Sequence, residues 1–275
     1  MKLVKMHGIG NDYIFADCMQ EQLADPESLS VKISDRHFGV GSDGLILICP
    51  SEKADCEMKV YNADGSYAYM CGNGIRCVGK YLYDNGYINK DTLDVESGGS
   101  IKHLKLTIEN GVCTGARVNM GAPVYPIPGI LQGSKGLNGY IANIQGRDFT
   151  LVSMGNPHAV TFVDDTDAIE IEKAGPIIEH DAIFPDRANV EFIEQTGENT
   201  LKMRVWERGS GETWACGTGA CASAVAAILN GYCEPGKITV NLKGGTLVIE
   251  WDGKGGDVYM TGPAEYVCEI KNFNM

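Results

Sequence analysis

The chain repeats itself at a fixed offset of 145 residues, which restricts it to folds built from two copies of one unit. At that offset Cys71-Gly72-Asn73-Gly74 aligns with Cys216-Gly217-Thr218-Gly219, and Asn85-Gly86-Tyr87 with Asn230-Gly231-Tyr232. Met58 aligns with Met203, Val60 with Val205, Tyr61 with Trp206, and Gly10-Asn11 with Gly155-Asn156. Between 41–87 and 186–232 nine of 47 positions are identical without a gap, where average composition gives roughly three. A length of 275 residues accommodates two domains of ordinary size, as a duplication requires.

Each copy reads as several strands, one helix, then more strands. Glu57-Met58-Lys59-Val60-Tyr61 and Lys202-Met203-Arg204-Val205-Trp206 alternate with the period of half-buried strands. After the first Cys-Gly-X-Gly phrase, Ile75, Val78, Gly79 and Leu82 fall at helical spacing, and Asn85-Gly86 supplies a stop. After the second, Gly219 to Leu229 carries no charge before Asn230-Gly231. A helix apolar all round must be buried. The expected architecture is therefore α/β of the α+β kind: two homologous, pseudo-symmetric domains, each a mostly antiparallel sheet wrapped around a central helix. Hairpin corners are expected at 96–101 and 242–247, and repeat ends at 118–121 and 259–262. These place an N-terminal repeat domain at 1–118 plus the tail 263–275 and a C-terminal repeat domain at 119–262. The Pro-rich stretch 121–129 serves as connector.

Composition excludes several classes of partner. A net charge of −13 repels phosphate, which argues against nucleic acid and anionic membrane surfaces. It leaves open a zwitterionic small molecule, whose recognition is local. No stretch approaches a membrane span, and Met1 to Gly8 lacks the apolar run of a secretory leader; a cytoplasmic protein is expected. Of the ten cysteines, Cys18, Cys49, Cys56, Cys77, Cys113, Cys221, Cys233 and Cys268 read as reduced, small, buried hydrophobes.

Cys71 and Cys216 differ from those eight, because each opens a glycine-rich turn into a helix. Such a turn leaves backbone N–H groups pointing outward beside the positive end of the helix dipole. A thiolate there is favoured, which should lower its pKa from about 8.5 towards neutrality. A substrate carboxylate could rest on the same N–H groups, bringing its α-carbon beside the sulfur. Two thiols approaching one carbon from opposite sides are what inversion of a carbon centre requires. General acid–base catalysis gives about 10²–10⁴-fold, so the rest of the barrier must fall to electrostatic preorganisation in a dry pocket. No signature of pyridoxal phosphate, a phosphate loop or a dinucleotide-binding unit is present, so no cofactor is expected. The competing readings are a buried packing pair, a zinc site, and a redox-active disulfide. The spacings Cys71 to Cys77 and Cys216 to Cys221 do not suit structural zinc, and no metal is expected.

The phrases also resemble a known family. Asn62-Ala63-Asp64-Gly65-Ser66 leading to Cys71-Gly72-Asn73-Gly74-Ile75-Arg76-Cys77 is similar to the first signature of the diaminopimelate epimerases. Glu207-Arg208-Gly209-Ser210-Gly211-Glu212-Thr213 leading to Cys216-Gly217-Thr218-Gly219-Ala220 is similar to the second. Met6-His7-Gly8-Ile9-Gly10-Asn11-Asp12 and Gly155-Asn156-Pro157-His158 match as well. The resemblance implies a cofactor-independent enzyme interconverting LL- and meso-2,6-diaminopimelate, a step of lysine and peptidoglycan-precursor synthesis. It implies a homodimer with its active site in the interdomain cleft. It assigns Cys71 and Cys216 as the thiolate base and thiol acid, and Gly72, Asn73, Gly217 and Thr218 as the carboxylate cradle. Asn11, Asn62, Asn156, Asn189, Glu207 and Arg208 would bind the polar groups of diaminopimelate, with His158 and Glu207 tuning the thiols. Arg36, Arg76, His7 and His37 are read as structural. The family carries Gln at the position of Gly44 in some members, a contact this chain lacks. The rival enzyme is a proline racemase-like two-thiol racemase, which resembles Cys-Gly-His-Gly at the first phrase. The rival from another class is a non-enzymatic thiol redox or metal-binding protein.

Overall fold

The computed structural model describes residues 1–130 and 140–273. Residues 131–139, inside the expected second repeat, and 274–275, in the expected tail, lie outside them. The chain forms two compact units, Met1–Asn119 with Thr261–Met275, and Met120–Met260.

The first unit opens with antiparallel β1 (Leu3–Gly8) and β2 (Asn11–Asp17). After α1 (Pro26–Ser34), β3 (Gly44–Cys49) runs parallel to β2, and β4 (Cys56–Asn62) antiparallel to β3. The short β5 (Tyr67–Ala68) folds back on β4 and delivers the chain to α2 (Gly72–Asp84). Then β6 (Thr92–Ser97) adds parallel to β4, followed by antiparallel β7 (Ser100–Glu109) and β8 (Val112–Gly121). The last strand of the chain, Glu265–Ile270, closes on β1 antiparallel. The sheet packs around α2, in which every residue from Gly72 to Leu82 is buried. At Gly79 an added Cβ would meet Leu106, Leu104 and Leu93 of β7 and β6, the first at 2.8 Å, so a helix this enclosed needs a glycine face. The fully buried Arg76 ties α2 to the return segment, donating from Nε to the Pro263 carbonyl (3.1 Å) and from Nη1 to that of Gly72 (3.0 Å).

The second unit repeats this order. Antiparallel β9 (Ile141–Ile144), β10 (Arg147–Ser153) and β11 (Pro157–Phe162) precede α3 (Ile171–Glu179). Next, β12 (Asn189–Gly197) pairs parallel with β11, β13 (Thr200–Glu207) antiparallel with β12, and β14 (Gly211–Thr213) turns back on β13. The helix α4 (Gly217–Leu229) is followed by β15 (Gly236–Leu242), parallel to β13, and its antiparallel partner β16 (Gly245–Trp251). The chain continues through β17 (Val258–Pro263) to the last strand, β18. Even register is conserved: Tyr61 opposes Tyr67 in the first unit and Trp206 opposes Glu212 in the second. Ala-rich α4 is enclosed by β10, β11, β12, β13, β15 and β16. Its only buried hydroxyl, Ser223, bonds back to the Gly219 carbonyl at 2.7 Å. Both enclosed helices end alike, with Asn85 and Asn230 as C-caps and Gly86 (φ 76°) and Gly231 (φ 74°) in the left-handed region that stops a helix.

The fold class read from the sequence is the one observed, with two amendments. Each unit carries a second helix, α1 or α3, which the sequence patterning did not reveal. Both have nine residues, too short for a clear 3.6-residue period, and α3 contains Pro176. Not all eight remaining cysteines are buried: Cys49 is half-buried, and Cys268 is exposed because β18 buries neither face. All ten are free thiols. Among the described residues no helix is long and apolar enough to cross a membrane.

Candidate active site

The two sequence phrases become two N-caps of the same construction. Cys71 has extended backbone (φ −135°, ψ 108°), and its sulfur accepts the Gly74 N–H at 3.3 Å. Cys216 does the same (φ −125°, ψ 107°), accepting the Gly219 N–H at 3.3 Å. A cap residue must be extended and offer an acceptor to the third helical N–H, a task usually given to Ser, Thr, Asp or Asn; here a thiol performs it. The second glycine of each phrase has a steric reason. A Cβ at Gly74 would lie 3.3 Å from the Cys71 sulfur and 2.4 Å from Ile46 Cδ1. At Gly219 it would lie 3.1 Å from the Cys216 sulfur and 2.7 Å from Glu191 Oε1.

Around Cys71 the site is built from amides. Asn11, at the start of β2, turns its carbonyl oxygen to the Cys71 thiol (3.5 Å) and to Asn73 Nδ2 (3.2 Å). Its own Nδ2 donates to Asp43 at 2.7 Å, and Asp43 is held in turn by Arg36 at 2.9 Å. Asn73 Oδ1 accepts from Arg76 at 3.0 Å. One hydrogen-bonded chain thus runs from Arg36 through Asp43, Asn11 and Asn73 to Arg76. Asn62, at the end of β4, donates to Ser66 within its turn at 3.0 Å. Gly44 has no room for a side chain: a Cβ there would fall 2.2 Å from the Tyr61 carbonyl oxygen.

Around Cys216 the frame is the same and its contents are ionisable. Asn156 donates to Thr218 Oγ1 at 3.4 Å, the counterpart of the Asn11–Asn73 bond. Thr218 Oγ1 lies 3.6 Å from the Cys216 sulfur. Behind Asn156 stands His158, fully buried, with Nε2 at 3.1 Å from Asn156 Oδ1 and Nδ1 at 2.7 Å from Glu191. Glu207, at the end of β13, takes the hydroxyl of Thr213 and lies close enough to act electrostatically on the Cys216 thiol. Burial pushes the Glu207 carboxyl above the usual carboxylate range, against the pull of Thr213, Cys216 and His158.

The expectation of a lowered thiol pKa is overturned at Cys216. Burial first, and then the nearby Glu207 and Glu191 carboxylates, push this thiol well above its ordinary value; Thr218 and the Gly219 N–H pull the other way and lose. Removing solvent from a thiolate costs more here than one helix N-terminus returns. The sequence reading had the helix start and Glu207 but not Glu191, nor the depth of burial that lets both carboxylates outweigh the helix start.

The other expected site residues hold the frame. Asn189 is buried with both amide ends engaged: Nδ2 donates to the Pro157 carbonyl and Oδ1 accepts the Arg208 N–H, each at 3.0 Å. It therefore sets the turn that carries Glu207. Buried Glu179, at the end of α3, holds the same turn through Trp206 Nε1 (2.7 Å) and the Gly209 N–H (3.0 Å). Arg208 is exposed, with one guanidinium contact to the Asp186 carbonyl at 3.0 Å. Gly72, Asn73 and Gly217 are buried in the first helical turns. The sequence reading missed Asp43, Glu179 and Glu191. Glu191 left a signal: a lone carboxylate within Ala188-Asn-Val-Glu-Phe-Ile, a run whose period is that of a fully buried strand.

Fold and site together define a class: a duplicated α/β protein with one cysteine capping the enclosed helix of each repeat. Solved structures share this fold. A PhzF-family phenazine biosynthesis protein from Bacillus anthracis superposes with a TM-score of 0.73 at 17% identity, covering 100% of this chain and 99% of that one. A hydroxyproline epimerase from Agrobacterium vitis, with bound trans-4-hydroxy-L-proline, gives 0.69 at 16%, covering 98% and 90%. Sequence narrows the class further. The diaminopimelate epimerase family model matches residues 3–126 and 150–267. A diaminopimelate epimerase of Acetivibrio thermocellus is 52% identical over 273 residues, 98% of this chain and 97% of the relative. One from Methanococcus maripaludis (strain C5) is 49% identical over 273 residues, 98% of each. The chain belongs to the diaminopimelate epimerase family.

Proposed function

We propose that this protein is an isomerase interconverting LL- and meso-2,6-diaminopimelate without a cofactor, using Cys71 and Cys216 as its acid–base pair. The observation that carries the mechanism is a thiol at the N-cap of each unit's enclosed helix, in a chain of this family. The substrate carboxylate rests on the N–H groups of Gly72-Asn73 and Gly217-Thr218, where helix N-termini favour negative charge. One thiolate takes the α-proton, and the C–H electron pair is left on carbon and spread into the carboxylate. The other thiol then gives its proton to the opposite face, so one thiolate and one thiol exchange roles and nothing is consumed. Burial beside Glu207 and Glu191 favours the protonated form of Cys216. Cys216 therefore rests as the thiol acid, and Cys71 is the base in the first half-turnover. Asn11, Asn62, Asn156, Asn189, Glu207 and Arg208 are assigned to the polar groups of the substrate, in part by shaping the turns that meet it. The reading extends to a homodimer in the cytoplasm, with the product serving lysine and peptidoglycan-precursor synthesis.

The test is carried out in D₂O. Reduced protein incubated with LL-diaminopimelate should exchange the α-hydrogen for deuterium and produce the meso isomer, while L-proline remains unchanged. Racemisation of L-proline would instead favour the proline racemase-like reading. Absence of both activities would support a non-enzymatic thiol protein. Cys71→Ala and Cys216→Ala should each remove turnover; a variant running at the wild-type rate would refute the two-thiol mechanism.

A further inference from the structure

We propose that Glu191 is a positioning residue of the Cys216 half-site: its carboxylate fixes the His158 ring, and through it Asn156 and Thr218, against the first turn of α4. The proposal rests on the function proposed above. Glu191 sits mid-strand on β12 with no exposed surface, between Val190 and Phe192. A buried carboxylate is costly unless paired and hydrogen-bonded. Its Oε1 meets His158 Nδ1 at 2.7 Å, whereas Oε2 has no hydrogen-bond partner among the described residues. A half-satisfied buried carboxylate calls for an explanation other than stability.

The first unit shows that the fold does not need this pair. At the equivalent positions it has Tyr13 and Ile46, both buried, on strands of the same order and pairing. The same sheet is thus built once with a buried tyrosine and isoleucine at these positions and once around a carboxylate–imidazole pair. What the second unit gains is a connected path. Glu191 holds Nδ1, the opposite nitrogen meets Asn156 Oδ1 at 3.1 Å, Asn156 reaches Thr218 at 3.4 Å, and Thr218 lies 3.6 Å from the Cys216 sulfur. Oxygen atoms thus face both ring nitrogens, which fixes the ring's rotation as well as its place. Carboxylate Oε1 also lies where only glycine permits it, 2.7 Å from the Cβ that residue 219 lacks. The ionisable groups converging on this cluster are His158 from β11, Glu191 from β12, Glu207 from β13, and Cys216 at the cap of α4.

A double-mutant cycle separates positioning from bulk structure. Glu191→Gln should lower kcat by about 10–100-fold, the scale of loss when the carboxylate orienting a metal-bound histidine is removed, with KM changed less than about threefold. His158→Gln should lower kcat at least as much, and the double variant should be no worse than His158→Gln alone, because Glu191 acts through the ring. Equal losses from Glu191→Gln in the presence and absence of His158 would overturn the proposal. A readout independent of substrate is the Nδ1 proton of His158 by NMR. It should be a slowly exchanging downfield signal, lost in Glu191→Gln and retained in Cys216→Ala. A signal unchanged in Glu191→Gln overturns the positioning role. An inactive wild-type protein that shows this loss would sink the functional reading and leave the positioning role standing.

Discussion

In the first unit Asn11 grips Asn73 and is backed by Asp43 and Arg36; in the second Asn156 grips Thr218 and is backed by His158 and Glu191. The gripping bond spans the same sequence distance in both. The residue closing the neighbouring strand is Asn62 in one and Glu207 in the other. Duplication has therefore kept the geometry that presents a thiol at a helix start and changed the charge behind it. Amides and a partly exposed ion-pair network surround Cys71, which is half-buried; carboxylates and a buried histidine surround Cys216, which is buried. The two thiols thus share a helix-capping frame and differ in the charge that surrounds them.

The comparison breaks most sharply at the sulfurs. Cys71→Ser and Cys216→Ser should each lower kcat by about 10²–10⁴-fold, since each removes one partner of the proposed general acid–base pair, and the double variant should be little worse than either. Stopped assays of LL to meso conversion would show it; additive losses would mean that the thiols act independently.

Arg76 tests the frame of the first unit alone. Its counterpart by offset is Cys221, so the second helix manages without a buried guanidinium. Arg76→Met removes the guanidinium's bonds to the Gly72 and Pro263 carbonyls and to Asn73 Oδ1 and should cost about 3–5 kcal/mol, the cost of breaking a buried charge-assisted network. Urea unfolding measures this, and a loss below about 1 kcal/mol would show that the network is not cooperative with the fold.

Glu207→Gln sharpens the electrostatic contrast. A neutral side chain removes one of the charges that hold the Cys216 proton, so the pH midpoint for alkylation of Cys216, followed by the mass of its peptide, should move down. Stability should move in a linked direction. A carboxyl raised in the folded state binds its proton more tightly there than in the unfolded chain, so its contribution is present below the unfolded pKa and fades as pH rises through the folded one. At neutral pH the ionised group therefore works against folding, and Glu207→Gln should melt higher than wild type while losing activity. A lower melting temperature at pH 7 would count against that assignment.

The smallest contrast lies between the paired short helices. Asp25 caps α1 through the Ser28 N–H at 3.1 Å, whereas Glu170 at the start of α3 makes no side-chain cap bond. Asp25→Ala should lower the urea midpoint slightly but measurably and Glu170→Ala should leave it within error; equal effects would show that the cap is not what distinguishes them.

Much of this was legible before any coordinates. The 145-residue offset foretold two units of one topology, and the charge-free run from Gly219 foretold an enclosed helix, because a helix without a polar face has nowhere else to go. The cysteines, Asn11, Asn156, Asn62 and Glu207 stood out as offset pairs. The short helices did not, having fewer than three turns of pattern, and Glu191 passed as one more residue of a buried strand. Asn189 was expected at the site from the sequence, but its use of both amide ends on the Pro157 and Arg208 backbone was not legible there.

The sequence by itself determined the duplication, the thiol at each helix start and the family, because these are matters of residue identity and spacing. The tertiary structure alone decided that the Cys216 thiol is pushed towards its protonated form. That depends on burial and on carboxylates from β12 and β13 brought to the cap of α4, and no linear pattern records how much solvent a folded chain removes from a sulfur.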